Sequence, residues 1–244
     1  MKNSSLQPQI VLGVCAHPDD LEFVAGGSIA NWVKAGAKVY YLICSDGSKG
    51  PRSKTAKDSD TRGANLTKAR RQEQVAAAKM MGVEKVFFLN YEDSAMQLTQ
   101  ELKRDICRVI CQVRPDTVVT IDPSFLYSAR ASYVNHPDHR VVGEATLDAV
   151  YPLARDGLTI AGLLAEDLEP HKTKTLLLTR FDGCNYFEDI NITFSTKLAA
   201  LGAHQSQFAT LTKIEQFLRT QAADAGKLAK CRLAEGFVRI DLPA

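Results

Sequence analysis

Four short apolar runs, each followed by a stretch with helical spacing, limit the folds open to this chain more than any other feature. They are Ile10–Cys15 (IVLGVC), Lys38–Cys44 (KVYYLIC), Lys85–Leu89 and Thr117–Ile121. Runs of this length, rich in β-branched and aromatic residues and bounded by polar ones, read as buried strands. Helical patterns lie between them: one opened by Gly26-Gly27 and running to about Ala35, then Ala69–Met81 closed by Gly82, then Leu98–Val113 ended by Pro115. Another helix begins near Pro137, since proline suits a first helical turn. This alternation predicts an α/β fold with a Rossmann-like, mostly parallel sheet flanked by helices.

After Arg155 the pattern changes. Lys174–Thr179, Phe187–Ile192 and Phe237–Asp241 read as strands, and Ser195–His204 and Lys213–Lys227 as helices. There is no internal repeat, low-complexity tract or clear linker, so residues 1–244 read as a single domain, with a core over about 8–155 and a small C-terminal extension over about 156–244. The polar stretches Ser45–Thr67 and Asp122–Asn135 read as loops that roof a pocket.

Composition narrows the function. A formal net charge of +2 gives no strong field to recruit nucleic acid or an acidic membrane surface, which favours a small-molecule partner. Met1 to Gln9 lack the apolar run of a signal peptide, and no stretch approaches the ~20 apolar residues that cross a bilayer. The cysteines at 15, 44, 107, 111, 184 and 231 lack the spacing of a disulfide scaffold, and Cys107 and Cys111 read as small core residues. The expected address is the cytoplasm. The apolar-rich tail leaves room for a homo-oligomer.

Open parallel sheets bind ligands beyond the carboxyl ends of their strands. Two loops at such ends carry metal-competent side chains: Ala16-His17-Pro18-Asp19-Asp20-Leu21-Glu22 after the first strand, and Asn135-His136-Pro137-Asp138-His139 after the strand Thr117–Ile121 and its loop. Imidazole nitrogens and a carboxylate are the expected ligands of a catalytic zinc that keeps a position open for water. A neighbouring carboxylate can take the water proton and return it to a leaving amine.

HPDDLEFVAGG followed by NHPDHR resembles the LmbE-like or PIG-L family of zinc-dependent N-deacetylases. So do Arg70-x-x-Glu73, Ala78 to Gly82, Tyr91-x-Asp93, Lys197 to Gln207 (KLAALGAHQSQ) and Glu235–Ile240 (EGFVRI), so that the likeness runs nearly the whole chain. The resemblance implies one zinc per chain held by His17, Asp20 and His139, with Asp19 as general base and then general acid. It implies that His136 stabilises the oxyanion as a cationic or hydrogen-bonding group, with Asp138 orienting or charging it, and that Arg70 and Asp93 contact sugar hydroxyls. The implied activity is hydrolysis of an N-acyl, chiefly N-acetyl, group from an amino-sugar conjugate. Relatives often carry a tyrosine two positions before the catalytic histidine, where this chain has Val134. Tyr133 is therefore read, with Phe125 and Tyr127, as substrate wall. The alternative is a non-catalytic metal- or carbohydrate-binding module derived from a deacetylase, which would need neither Asp19 nor His136.

Overall fold

A computed structural model describes residues 6–50, 64–158, 167–208 and 210–243. Residues 51–63 of the expected roof loop Ser45–Thr67 lie outside the described residues. The strands are β1 (Ile10–Cys15), β2 (Lys38–Ser45), β3 (Lys85–Tyr91), β4 (Thr117–Ile121), β5 (Tyr127–Ser128), β6 (Tyr133–Val134), β7 (Thr175–Thr179), β8 (Tyr186–Asp189) and β9 (Ala234–Asp241). The α-helices are α1 (Asp20–Lys34), α2 (Ala64–Met81), α3 (Gln100–Val113), α4 (Pro137–Val150), α5 (Phe194–Gly202) and α6 (Thr212–Ala229).

Seven strands form one sheet in the order β3-β2-β1-β4-β7-β9-β8. The first five pair parallel, and β9 runs antiparallel between β7 and β8. The α/β, mostly parallel architecture is the expected one. The described part of the tail contributes β7, β8 and β9 to the same sheet.

The strands alternate as a sheet covered on both faces requires. Leu12, Val14, Leu42, Cys44 and Val118 face one core, shared with α3 and α4. Val11, Cys15, Val39, Tyr41, Ile43 and Val119 face the other, shared with α1, α2 and α5. Cys107 and Cys111 are buried in the first core, and all six cysteines are free. A third cluster, built on Phe194, Leu201, Leu218 and Leu233, joins α5 and α6 beside the sheet. Helix α3 begins where Thr99 Oγ1 accepts the Leu102 N–H at 3.2 Å, satisfying a donor the first turn leaves free.

Three details differ from the sequence pattern. Helix α1 begins at Asp20, six residues before the glycines read as its opening. Gly26 and Gly27 sit inside the helix because the tail packs on them: a Cβ at Gly27 would lie 2.6 Å from Ile190 Cγ2. Asp122–Asn135, read as irregular, contains the β5–β6 hairpin. His171, which in a Pro-His-Lys turn would be simply solvated, instead lies within 2.8 Å of the Pro115 carbonyl through Nε2.

Candidate metal and catalytic site

The register pairs Gly13 of β1 with Val119 of β4, so the two strands end side by side. Chains turn away from these ends in opposite directions, toward α1 on one face and α4 on the other. Such a divergence leaves a crevice at the carboxyl edge. Gly143 lets α4 sit tightly over β4, since a Cβ there would fall 2.2 Å from the Ile121 carbonyl oxygen.

The first turn of α1 and the first turn of α4 meet in this crevice. His17, Asp20 and His139 present ligand atoms that all lie within 4.8 Å of one another. His17 Nδ1 and His139 Nε2 are 3.3 Å apart, and Asp20 Oδ1 lies 3.2 Å from His139 Nε2. Two imidazole nitrogens aimed at each other beside a carboxylate suit a shared cation. The donor set, two nitrogens and one oxygen, suits a divalent metal that keeps a position open for water.

The far ring nitrogens are already held. His17 Nε2 lies 3.2 Å from Asp138 Oδ2 and 3.3 Å from Asp93 Oδ1, while His139 Nδ1 lies 3.1 Å from the Tyr133 hydroxyl. Such outer partners fix ring orientation and tautomer in metal sites. His17, His136 and Asp138 form a second metal-competent cluster. There, Asp138 Oδ2 is already committed to the Ser94 N–H at 2.7 Å as well as to His17. His136 Nδ1 accepts the Asp138 backbone N–H at 3.2 Å. In the first cluster the ligand atoms of His17, Asp20 and His139 face one another directly.

Asp138 meets His136 through its backbone N–H. Its carboxylate faces His17 rather than His136, because His136 is the N-cap of α4 and Asp138 points from the first turn across the crevice. His136 stands half-buried at the rim, its ring 4.9 Å from that of His17. Desolvation, and then the His17 and His139 rings, lower its pKa. With Nδ1 accepting, a neutral His136 carries its proton on Nε2 and is a hydrogen-bond donor. The contact at Nδ1 leaves Nε2 free for the hydrogen-bonding role.

Asp19 is the N-cap of α1 with φ 93, a left-handed conformation unusual for a residue with a side chain. Its N–H donates to Gln74 Oε1 at 2.9 Å, and Gln74 Nε2 donates to Glu22 Oε1 at 2.9 Å. Behind them the buried His204 Nε2 lies 3.6 Å from Glu22 Oε2, an ion-pair rather than a hydrogen-bond distance. Burial pushes the Asp19 carboxyl up to about 6, although Arg70 at 3.6 Å pulls the other way. Asp20 shows the reverse. Burial raises it, but the His139 and His17 imidazoles hold it well below the usual carboxylate range.

Arg70 and Asp93, expected to reach sugar hydroxyls, are both buried and engaged within the protein. Arg70 donates to the carbonyls of Pro18, Gly47 and Lys49 and lies 3.6 Å from Asp93 Oδ2. Burial works against the Asp93 charge, yet His17 and the Lys49 N–H lower its pKa to about 2. Gln74 was not legible as a site residue, and Tyr133, read as substrate wall, was not legible as a partner of His139. Gln74 carries no motif, and Tyr133 stands one position from the expected place. On the other side of the metal-competent cluster opens a cavity of about 610 Å³, bordered by Asp20, His139 and Tyr133.

With this geometry in view, the comparisons are decisive. The PIG-L family profile, described as GlcNAc-PI de-N-acetylase, matches residues 12–150. A diacetylchitobiose deacetylase of Thermococcus kodakarensis is 33% identical over 228 residues, covering 93% of this chain and 81% of the relative. The chain belongs to the PIG-L family.

The solved structure of an N,N'-diacetylchitobiose deacetylase from Pyrococcus horikoshii superposes with a TM-score of 0.86 at 30% identity, covering 96% of this chain and 84% of that one. The 4-carboxy-2-hydroxymuconate hydratase GalB of Pseudomonas putida matches with a TM-score of 0.78 at 19% identity, over 97% and 98% of the two chains. That second likeness shows the fold alone, so the PIG-L scaffold does not by itself fix the reaction. No helix among the described residues is long and apolar enough to cross a membrane.

Proposed function

We propose that this PIG-L protein hydrolyses the N-acetyl amide of an amino-sugar conjugate, releasing acetate and a free amine. The carrying observation is the His17–Asp20–His139 cluster, with Asp138 and Tyr133 on its outer nitrogens and Asp19 beside it. These three residues would hold one zinc ion. When bound, zinc supplies Lewis acidity and makes water nucleophilic near neutral pH.

The remaining roles belong to side chains of the chain itself. Asp19, with its carboxyl near 6, is ionised at neutral pH yet basic enough to take a proton from attacking water and hand it to the departing nitrogen. His136 donates from Nε2 to the oxygen that gains charge as the amide carbon becomes tetrahedral. Asp138 and Tyr133 hold the ring planes of His17 and His139. Arg70 fixes the Pro18 carbonyl and so the turn that presents Asp19, and with Asp93 it forms the polar wall against which the sugar ring lies.

Replacing Asp19 by Asn tests this directly. Metal analysis should still find stoichiometric zinc, while amine release from N-acetylglucosamine conjugates falls by about 10²-fold or more. An Asn variant with near-parental turnover removes Asp19 from the mechanism.

A further inference from the structure

The two sides of the site are chemically unlike. On one stand Asp19, Arg70, Asp93 and the Gly47 and Lys49 carbonyls; on the other is the 610 Å³ cavity. Its wall is a run of rings that starts at the metal-competent cluster. Tyr133, whose hydroxyl meets His139, packs 4.9 Å from Phe181; Phe181 packs 6.3 Å from Phe217, and Phe217 stacks 6.0 Å from Phe23. Val24 and Leu218 extend the apolar lining.

Most of the charged groups that reach this cavity are matched within the protein, Arg180 Nε being a buried exception. Arg130 at its rim donates to Asp182 at 2.6 Å and to Asp224 at 3.2 Å, and Arg180 donates to Asp122 at 2.9 Å. Lys197 is paired with Glu235 at 2.5 Å, and Glu235 also takes the N–H groups of Gly27 and Ser28. A sugar ring, dense in hydroxyls, would find few free partners here, chiefly Arg180 Nε and Thr179 Oγ1, against a long run of rings. A hydrocarbon asks for no partners.

We infer that the cavity is an acyl-chain site, so that the enzyme also hydrolyses N-acyl amino sugars whose linear chain is far longer than acetyl, on the order of eight to twelve carbons. The inference rests on the amide-hydrolase reading above and deepens it. An acetyl methyl takes a volume near that of one water, about 30 Å³. Ten carbons at that size need about half of the space observed. The reaction is unchanged: water adds to the carbonyl carbon, the C–N bond breaks, the nitrogen leaves protonated and the fatty acid departs.

The test uses the zinc-loaded protein and N-acetyl-, N-butanoyl-, N-hexanoyl-, N-octanoyl- and N-decanoyl-glucosamine, with amine release as readout. The inference expects kcat/KM to rise along the series by up to about fourfold per methylene, the value for full burial. Calorimetry should show octanoate binding with a negative heat-capacity change while acetate at equal concentration does not. Ala225, which lines the cavity on α6, provides the variant. Ala225→Trp should cut the octanoyl-to-acetyl ratio of kcat/KM at least tenfold and weaken octanoate binding.

A flat or falling series with no octanoate binding overturns the inference and leaves the deacetylase reading intact. Preference for N,N'-diacetylchitobiose over every N-acyl glucosamine overturns it too, by assigning the space to a second sugar. If no amide in the series is cleaved, the reading under Proposed function fails, and octanoate binding and its loss in Ala225→Trp then decide the cavity alone.

Discussion

Replacing Gln74 with methionine keeps the bulk of the side chain and removes its polar atoms. The parent amide makes two hydrogen bonds at 2.9 Å, a part-buried one from the Asp19 N–H and a buried one to the Glu22 carboxylate. Glu22 is fully buried, and its other oxygen already lacks a hydrogen-bond partner. Loss of the bond to a buried carboxylate costs about 2–3 kcal/mol, and an orphaned N–H about 1–2. The sum, about 4 kcal/mol, lowers the melting temperature of a chain this size by roughly 8–16 °C.

Turnover should suffer separately. Asp19 is held at φ 93 by the same amide, and a catalytic group displaced by about 1 Å loses on the order of 10²-fold in rate. Zinc content should stay stoichiometric, because no ligand touches Gln74. Scanning calorimetry, metal analysis and amine release on one preparation separate the three effects. A methionine variant that melts within about 2 °C of the parent and keeps parental kcat would refute the reasoning.

Two further outcomes are expected. Tyr133→Phe removes the hydroxyl on His139 Nδ1, and competition with a chelator should show zinc affinity weakened about tenfold or more; an unchanged affinity would mean the hydroxyl is a bystander. Gly143→Ala forces α4 off the end of β4, and the overpacking should lower stability by about 1–3 kcal/mol and loosen zinc as His139 shifts; equal melting curves for parent and variant would contradict the contact.

The parts of this molecule that show in its sequence are those built from neighbours. β1, β2 and β4 are continuous apolar runs because each is buried on both faces, and the His/Asp turns follow β1 and the β4 loop in chain order. Relations between distant segments do not show. Gly26-Gly27 looked like a helix start, but the reason for those glycines is Ile190 and Lys197, more than 160 positions away. Asp138 sits two residues from His136, and only the start of α4 turns it to His17. The Asp19–Gln74–Glu22–His204 chain draws on α1, α2 and the end of α5, and no spacing in one dimension encodes it.

One feature of the sheet reaches beyond the chemistry it carries. The two ligand-bearing turns hang from adjacent strands and are clamped by separate cores on opposite faces. Their separation is thus inherited from interstrand spacing, about 4.8 Å, and not from the loops above. Changes in those loops that spare Tyr133 leave the ligand geometry in place. A lineage built on this chassis can trade one acyl donor for another without renegotiating its metal.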